Sequence, residues 1–335
     1  MKAFASPPRG EKAVSERIST LPKIVIAHAI FDIKPLVDTW DEPTDCVWVK
    51  NKTDLLARLP EADILVTMTL WENRYLEMAP KLKFVQAMSS GMDQYDVEAF
   101  RKHAVHLASA RGVNANAVAE HALALMLSLS RRLPEARDDQ HDAFWRKMGN
   151  DPGERRRELA GSHVVIVGFG EIGRRIAQLC LAFGQRVTVV RRNSAEETGL
   201  PIRVVGDAEL AQVAGEADYL VLACPATPET TGLINAEILQ RMKPSASVIN
   251  VARGSVVVED HLIAALHEKR IAAAALDTFQ QEPLPSASPL WKMGNVVITP
   301  HGAGDTTAYE TRVADILHQN IHRLTAGSPL INQIA

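Results

Sequence analysis

One six-residue run limits this chain more than any other feature. Residues 164–167 (VVIV) are all β-branched, and Gly168-Phe169-Gly170-Glu171-Ile172-Gly173 follows at once. A helix-like stretch, residues 174–183, comes next. Glycines at this spacing are weak evidence in isolation, since a ligand-free glycine turn is common in α/β proteins. Between a strand and a helix they describe a turn shaped for a dinucleotide pyrophosphate. Gly168 permits the tight turn, Gly170 lets the backbone approach the phosphates, and Gly173 lets the helix pack close to the strand. The unpaired N–H groups and the positive helix end favour the same anion. Phe169, Glu171 and Ile172 complete this candidate cofactor loop.

The surrounding sequence alternates short apolar runs with helical spacing. Strands are expected at residues 187–190, 203–205, 219–222, 247–250, 273–276 and 296–298, each nearly all apolar. Strands buried on both faces of a parallel sheet read this way. An earlier set is expected at 23–28, 63–66, 84–87 and 106–108, without a glycine fingerprint. Val118, Ala122, Leu125, Met126 and Leu129 recur at helical spacing, so one long helix is expected over about 116–132. Pro134 is expected to end it. A last amphipathic helix is expected over about 306–324. The fold class is therefore α/β, with two doubly wound parallel-sheet domains.

The chain has 335 residues, 46% hydrophobic and 23% charged, which suits two globular domains. A net charge of −3 gives no basic excess for nucleic acid. No apolar run approaches the roughly 20 residues that span a bilayer. Cys46, Cys180 and Cys224 are few and widely spaced, which argues against a disulfide framework and fits a reducing cytoplasm. Residues 1–20 lack the apolar core of a signal peptide and read as a flexible extension.

After the strand that ends at Val190 come Arg191, Arg192, Asn193 and Ser194. An acid here would bind the ribose hydroxyl of NAD. Arginines instead suit a 2′-phosphate through paired hydrogen bonds. NADPH is thus expected over NAD, with Arg191, Arg192 and Ser194 as its contacts.

Three further segments leave the ends of predicted strands: Asn250-Val251-Ala252-Arg253-Gly254, Asp277-Thr278-Phe279-Gln280-Gln281-Glu282, and Thr299-Pro300-His301-Gly302. The carboxyl edge of a parallel sheet is where such folds bind ligands. Arg253 can hold a carboxylate and polarise the carbonyl beside it. His301 can donate a proton, imidazole being the side chain that titrates near neutral pH. Glu282 can orient that ring. Each alone reads as readily as a salt-bridge partner, a surface acid or a core histidine. Together, on one dinucleotide fold, they form the set needed to reduce a 2-keto acid.

With these motifs quoted, the chain resembles the D-isomer-specific 2-hydroxyacid dehydrogenases, which include glyoxylate/hydroxypyruvate reductases and phosphoglycerate dehydrogenases. The resemblance runs from Lys23 to about Leu324. It also rests on Glu158-Leu159-Ala160-Gly161 before the glycine loop and on Cys224-Pro225-Ala226-Thr227-Pro228-Glu229-Thr230. It implies a Rossmann cofactor domain, residues 113–301, inserted into a discontinuous flavodoxin-like substrate domain, residues 21–112 plus 302–335. It implies catalytic roles for Arg253, Glu282 and His301. Cofactor contacts are implied at Cys224, Pro225, Thr230, Val251, Ala252, Asp277 and His301, with Asp277 on the nicotinamide carboxamide. Ser90 and Gly91 match the family's substrate loop, beside Arg253 and His301. A homodimer is implied, with the long helix among its contacts. The departure is Arg191, where many members carry an acid.

The expected substrate is a small 2-keto or 2-hydroxy acid such as glyoxylate or hydroxypyruvate. A bulkier 2-keto acid or phosphoglycerate on the same machinery is the alternative within enzymes. Met68, Leu70, Trp71 and Met92 are candidates for a distal pocket wall, or else plain core. A corepressor-like protein that senses dinucleotide is the alternative outside enzymes, and it should show negligible turnover. No metal is expected. The pairs His103/His106 and His318/His322 lack an HExxH or a nearby Cys and read as solvated helix faces.

Overall fold

The computed structural model describes residues 21–151, 155–195 and 197–335. The expected extension at residues 1–20 lies outside them. Two compact units are formed. One takes the chain up to Val113 and resumes at Thr307–Ala335; the other is Asn114–Thr306.

The first unit contains β1 Lys23–Ala27, α1 Lys34–Val37, β2 Asp45–Val49, α2 Lys52–Arg58, β3 Ile64–Thr67, α3 Tyr75–Met78, β4 Phe84–Ala87, α4 Val97–Lys102 and β5 His106–Ala108. The second opens with α5 Ala115–Arg131 and α6 Leu133–His141. It continues with β6 His163–Val167, α7 Glu171–Ala182, β7 Arg186–Val190, β8 Arg203–Val205, α8 Leu210–Ala214 and β9 Tyr219–Leu222. After these come α9 Ala236–Arg241, β10 Ser247–Asn250, α10 Glu259–His267, β11 Ala273–Leu276 and β12 Val296–Ile298. The helix α11 Tyr309–Thr325 belongs again to the first unit.

The first sheet has the order β2-β1-β3-β4-β5, parallel throughout. Successive side chains on each strand point to opposite faces. Ile24, Ile26, Ile64, Val66 and Phe84 meet Val313, Ala314 and Leu317 of α11 on one face. Val25, Leu65, Val85 and Leu107 meet Tyr75, Phe100 and Trp71 on the other. Full burial of each such side chain is worth about 1.5–3 kcal/mol. One polar pair crosses the α11 face. The Asn320 amide donates to Gln86 Oε1 at 3.0 Å and to the Ile331 carbonyl at 3.2 Å, and its Oδ1 accepts from Ile331 N–H at 2.7 Å.

The second sheet has the order β12-β11-β10-β9-β6-β7-β8, again all parallel. Val165, Val167, Leu220, Leu222 and Val248 share one core. Val164, Ile166, Val187, Val189 and Val221 share the other with residues of α5 and α7. The strand order reverses between β6 and β9, the topological switch point where such sheets take ligands. Because every strand is parallel, the loops after β6, β7, β9, β10, β11 and β12 all leave the same edge.

One expectation is corrected, one strand is added, and one open choice is decided. The strand β2 was not foreseen. It is an edge strand, exposed at Asp45 and fully buried only at Val49, so it lacks the continuous apolar run of its neighbours. Pro134 does not end the long helix. Arg132 does, in a left-handed conformation at φ 53°, and Pro134 sits in the first turn of α6, where its missing N–H costs nothing. Trp71 is a core residue: its ring lies among Tyr75, Tyr95 and Phe100 at centroid distances of 5.2–5.9 Å. Leu70 and Met92 pack against the same core, and Met68 against the α11 side.

Candidate functional site

The glycine loop leaves β6 at the switch point. Gly168 has φ +98°, a conformation that side chains with a Cβ rarely adopt. A Cβ there would stand 2.7 Å from Cys224 N and 2.8 Å from the Ala223 carbonyl. The loop is thus pressed against the end of β9, and Ala223 N–H bonds Val167 O at 2.9 Å. A Cβ on Gly173 would land on the carbonyl oxygen of Gly168, so this glycine sets how closely α7 packs under the turn. Gly170 is different: a Cβ there would meet nothing within 4 Å. It caps α7 without a side-chain bond, and the first N–H groups of a helix have no carbonyl within it to bond. Open space beside Gly170, in front of those donors, fits a pyrophosphate. Phe169 carries its ring under two guanidinium groups, Arg191 at 5.5 Å and Arg174 at 5.9 Å from the centroid. Arg191 is anchored by its N–H to Val205 O at 3.1 Å; Arg192 and Ser194 are exposed.

Along the same edge, β10 runs into a loop shaped by Asn250. This residue is 1% exposed. Its Oδ1 accepts from Ala252 N–H at 3.0 Å and its Nδ2 donates to Arg253 O at 3.1 Å. Both bonds fold the backbone into the turn that presents Arg253. The guanidinium donates once, to Ala252 O at 2.8 Å. Gly254 follows for a steric reason, since a Cβ there would overlap the Phe279 backbone. The arginine loop and the loop after β11 therefore touch main chain to main chain.

The loop after β11 carries Glu282. Its Oε1 accepts from Phe279 N–H at 2.9 Å, and its Oε2 lies 2.6 Å from His301 Nδ1. The pair is partly solvated, with side chains 35% and 49% exposed. His301 itself has φ 51°, an uncommon backbone for a non-glycine residue. The cause is visible: His301 N–H reaches Asp277 O at 2.8 Å and Thr299 O at 3.0 Å. Asp277 is buried and accepts from Thr299 Oγ1 at 2.6 Å, Gly302 N–H at 2.9 Å and Ala303 N–H at 3.1 Å. Its carboxylate ties down the segment on either side of His301. His121 of α5 joins at Thr299 Oγ1, 3.0 Å away.

Of the residues singled out in the sequence, Arg253, Glu282 and His301 lie on loops from one sheet edge, joined through Gly254, Phe279 and Asp277. Val251 and Ala252 are buried beneath the arginine turn. Cys224 is buried, which pushes its thiol up to about 11. Pro225 and Thr230 close a small loop after β9: Thr230 Oγ1 donates to Pro225 O at 2.7 Å and accepts from Thr227 N–H at 2.8 Å. Ser90 and Gly91 follow β4 in the first unit. Ser89 Oγ bonds Gly91 O at 2.7 Å, and Ser90 Oγ bonds Ala110 O at 3.4 Å. The sequence reading missed Asn250, Gly254, Thr299 and His121 as supports. For Asn250 a signal existed, a lone amide ending an apolar strand. His121 had none, because its partner is 178 residues away.

The sequence profile of the D-isomer specific 2-hydroxyacid dehydrogenase, NAD binding domain, matches residues 123–303. A D-3-phosphoglycerate dehydrogenase of Mycobacterium bovis is 33% identical over 316 residues, covering 92% of this chain and 58% of that protein. The chain thus spans little more than half the length of the phosphoglycerate dehydrogenases it matches. A glyoxylate reductase of Pyrococcus furiosus is 34% identical over 316 residues, 90% of this chain and 91% of that one. Among solved structures, a D-isomer specific 2-hydroxyacid dehydrogenase family protein of Aeromonas salmonicida superposes with TM-score 0.83 at 30% identity, covering 93% and 99% of the two chains. An NADPH-dependent glyoxylate/hydroxypyruvate reductase of Sinorhizobium meliloti, in complex with NADP and malonate, gives 0.76 at 26% identity over 94% and 97%. By its glycine turn, its two parallel sheets and this likeness along nearly its whole length, the chain belongs to the D-isomer specific 2-hydroxyacid dehydrogenase family.

Proposed function

We propose that the protein is an oxidoreductase acting on CH–OH, a 2-keto acid reductase and D-2-hydroxyacid dehydrogenase that uses NADPH in preference to NADH. One observation carries the reading: a 2.6 Å His301–Glu282 pair on the sheet edge that also bears the glycine turn. Glu282 occupies Nδ1 of the imidazole, so Nε2 is the nitrogen left to face the substrate. From there His301 gives a proton to the carbonyl oxygen during reduction and takes it back during oxidation. The unused donors of the Arg253 guanidinium pair with the substrate carboxylate and polarise the neighbouring carbonyl. When bound, the reduced dinucleotide supplies the hydride. Gly168, Gly170 and Gly173 shape its cradle, with Phe169, Glu171 and Ile172 alongside. Cys224, Pro225, Thr230, Val251, Ala252 and Asp277 line the rest of the dinucleotide path.

Arg191 beside the Phe169 ring, with Arg192 next to it, supports a 2′-phosphate at the ribose. Small substrates, glyoxylate or hydroxypyruvate, are the first choice, supported by the reductase names among the relatives. D-3-phosphoglycerate is the second reading, favoured by the 33% identical dehydrogenases. A homodimer is proposed from the exposed apolar side chains of α6 and the segment after it: Leu133, Phe144, Trp145 and Met148. Among the described residues no helix is long and apolar enough to cross a membrane. A cytoplasmic site is proposed from the three free cysteines, which suit a reducing compartment.

The test is NADPH and NADH oxidation against a panel of 2-keto acids, with D-3-phosphoglycerate oxidation as a second arm. Wild type should reduce a small 2-keto acid with at least about a tenfold higher kcat/KM for NADPH. His301→Gln should lose about 10²–10⁴ in kcat, and Arg253→Ala should raise KM and lower kcat. Near-normal rates in both variants would overturn the mechanism. Negligible turnover in wild type would favour the dinucleotide sensor, and a tenfold preference for NADH would remove the assignment to Arg191.

A further inference from the structure

The histidine pair that the sequence marked as two solvated residues has a third partner. His318 and His322 stand one turn apart on α11, which puts their rings on one face. Glu42, in the segment between α1 and β2, reaches both. His318 Nε2 lies 3.2 Å from one Glu42 oxygen and His322 Nε2 lies 3.4 Å from the other, and the two Nε2 atoms are 3.1 Å apart. Each residue thus offers one ligand atom, and the three atoms lie within 4.8 Å of one another. We propose that Glu42, His318 and His322 bind a divalent transition metal of the zinc class, with water at the fourth position.

The dimensions support that class. Zinc bonds to nitrogen and carboxylate oxygen are about 2.0–2.2 Å, so neighbouring ligands of a tetrahedron stand about 3.3–3.6 Å apart. The two ring nitrogens, 3.1 Å apart, and the carboxylate oxygen nearest each of them, at 3.2 and 3.4 Å, lie at or just under that span. Two imidazoles with one carboxylate form a ligand set for zinc, whereas calcium and magnesium take oxygen ligands. Without a metal, two ring nitrogens this close can share only one hydrogen bond. The Trp40 ring packs 4.4 Å from the His318 ring, which limits its rotation. The side chains are 34–55% exposed, so an ion and its water have access from solvent. The bound ion would staple the segment after α1 to α11, two elements joined through a span of 276 residues. This site is independent of the proposed hydride transfer.

The experiment titrates the full chain, free of any histidine tag and stripped by a chelator, with zinc chloride in a calorimeter. Cobalt(II) provides a second probe, because tetrahedral cobalt has intense visible bands. The expected result is one zinc per chain, with Kd at about 10⁻⁶ M or below, tetrahedral cobalt bands, and a higher melting temperature with zinc. Glu42→Gln, His318→Gln and His322→Ala should each weaken binding at least about tenfold, with unchanged circular dichroism and unchanged keto-acid reduction. No stoichiometric binding by wild type would overturn the proposal. So would a site that all three variants keep, since the ion would then lie elsewhere.

Discussion

In the proposed mechanism, His301 and Glu282 turn two ordinary side chains into a directed proton donor. A free imidazole offers either nitrogen. Here the carboxylate takes Nδ1 at 2.6 Å and is itself held by Phe279 N–H, so the ring direction follows from a main-chain anchor. The left-handed backbone at His301 costs about 1–3 kcal/mol, and the bonds to Asp277 and Thr299 hold it there. Replacing Glu282 by Gln keeps the shape and the bond from Phe279 but removes the charge facing the ring. A hydrogen bond to a charged group is worth about 1.5–3 kcal/mol, and partial solvation puts this one at the low end. Glu282→Gln should therefore lower kcat by about 10- to 30-fold while KM changes little. Steady-state kinetics check this, and a kcat within twofold of wild type would remove the pair from the mechanism.

At the scale of elements, the glycine turn couples β6 to α7 by contact and leaves room for a ligand by vacancy. The two functions belong to different glycines, which makes them separable. Gly173→Ala would drive a methyl into the Gly168 carbonyl and push α7 off its strand, an overpacking cost of about 1–3 kcal/mol. Gly170→Ala meets no protein atom within 4 Å and should leave the melting temperature within a degree or two. It should nevertheless weaken NADPH binding by about tenfold or more, because its methyl would stand where the pyrophosphate is proposed to lie. Thermal melts and a dinucleotide fluorescence titration separate the outcomes. Equal effects of both alanines on stability and binding would contradict this division. The strand β2 and the helix α6 belong to this scale too. Each escaped the sequence reading because its cue was local and ambiguous: a half-exposed edge strand, and a proline that can open a helix as well as end one.

Over the whole molecule, acid should be destabilising through two buried histidines, one in each unit. His28 accepts from Ile30 and Phe31 N–H through Nδ1, and burial holds its pKa below the ordinary histidine value. Burial lowers that of His163 as well, against an opposing bond to the Glu216 carbonyl. The unfolded chain then takes up these protons first, so the stabilisation is complete above about pH 6.5 and is lost as pH falls below it. Asp218 acts lower on the scale. Burial raises its pKa, but the bonds from Lys243 and His163 N–H outweigh it and the net shift is downward, so its share disappears only in the acid carboxylate range. Each kcal/mol lost should move the melting temperature by about 2–4 °C. Melts at pH 7.5 and 5.5 should show a drop, and His163→Gln should show a smaller one. A flat profile would mean that these rings are protonated without cost.

The strand–glycine–helix run, the apolar strands and the Arg253, Glu282 and His301 segments were legible without coordinates, because each depends on local order: periodicity, steric need and position at a strand end. They are enough to determine a pair of parallel sheets and the family. What the chain order could not show is which distant side chains meet. The Asn250 turn, the contact of Gly254 with Phe279, the Asp277 clamp around His301 and the cluster of Glu42 with His318 and His322 arise only when strands pair and α11 packs on the first sheet. Hydrogen bonds and ligand geometry act over about 3 Å of space, whatever the separation along the chain, and that proximity is set by the tertiary fold.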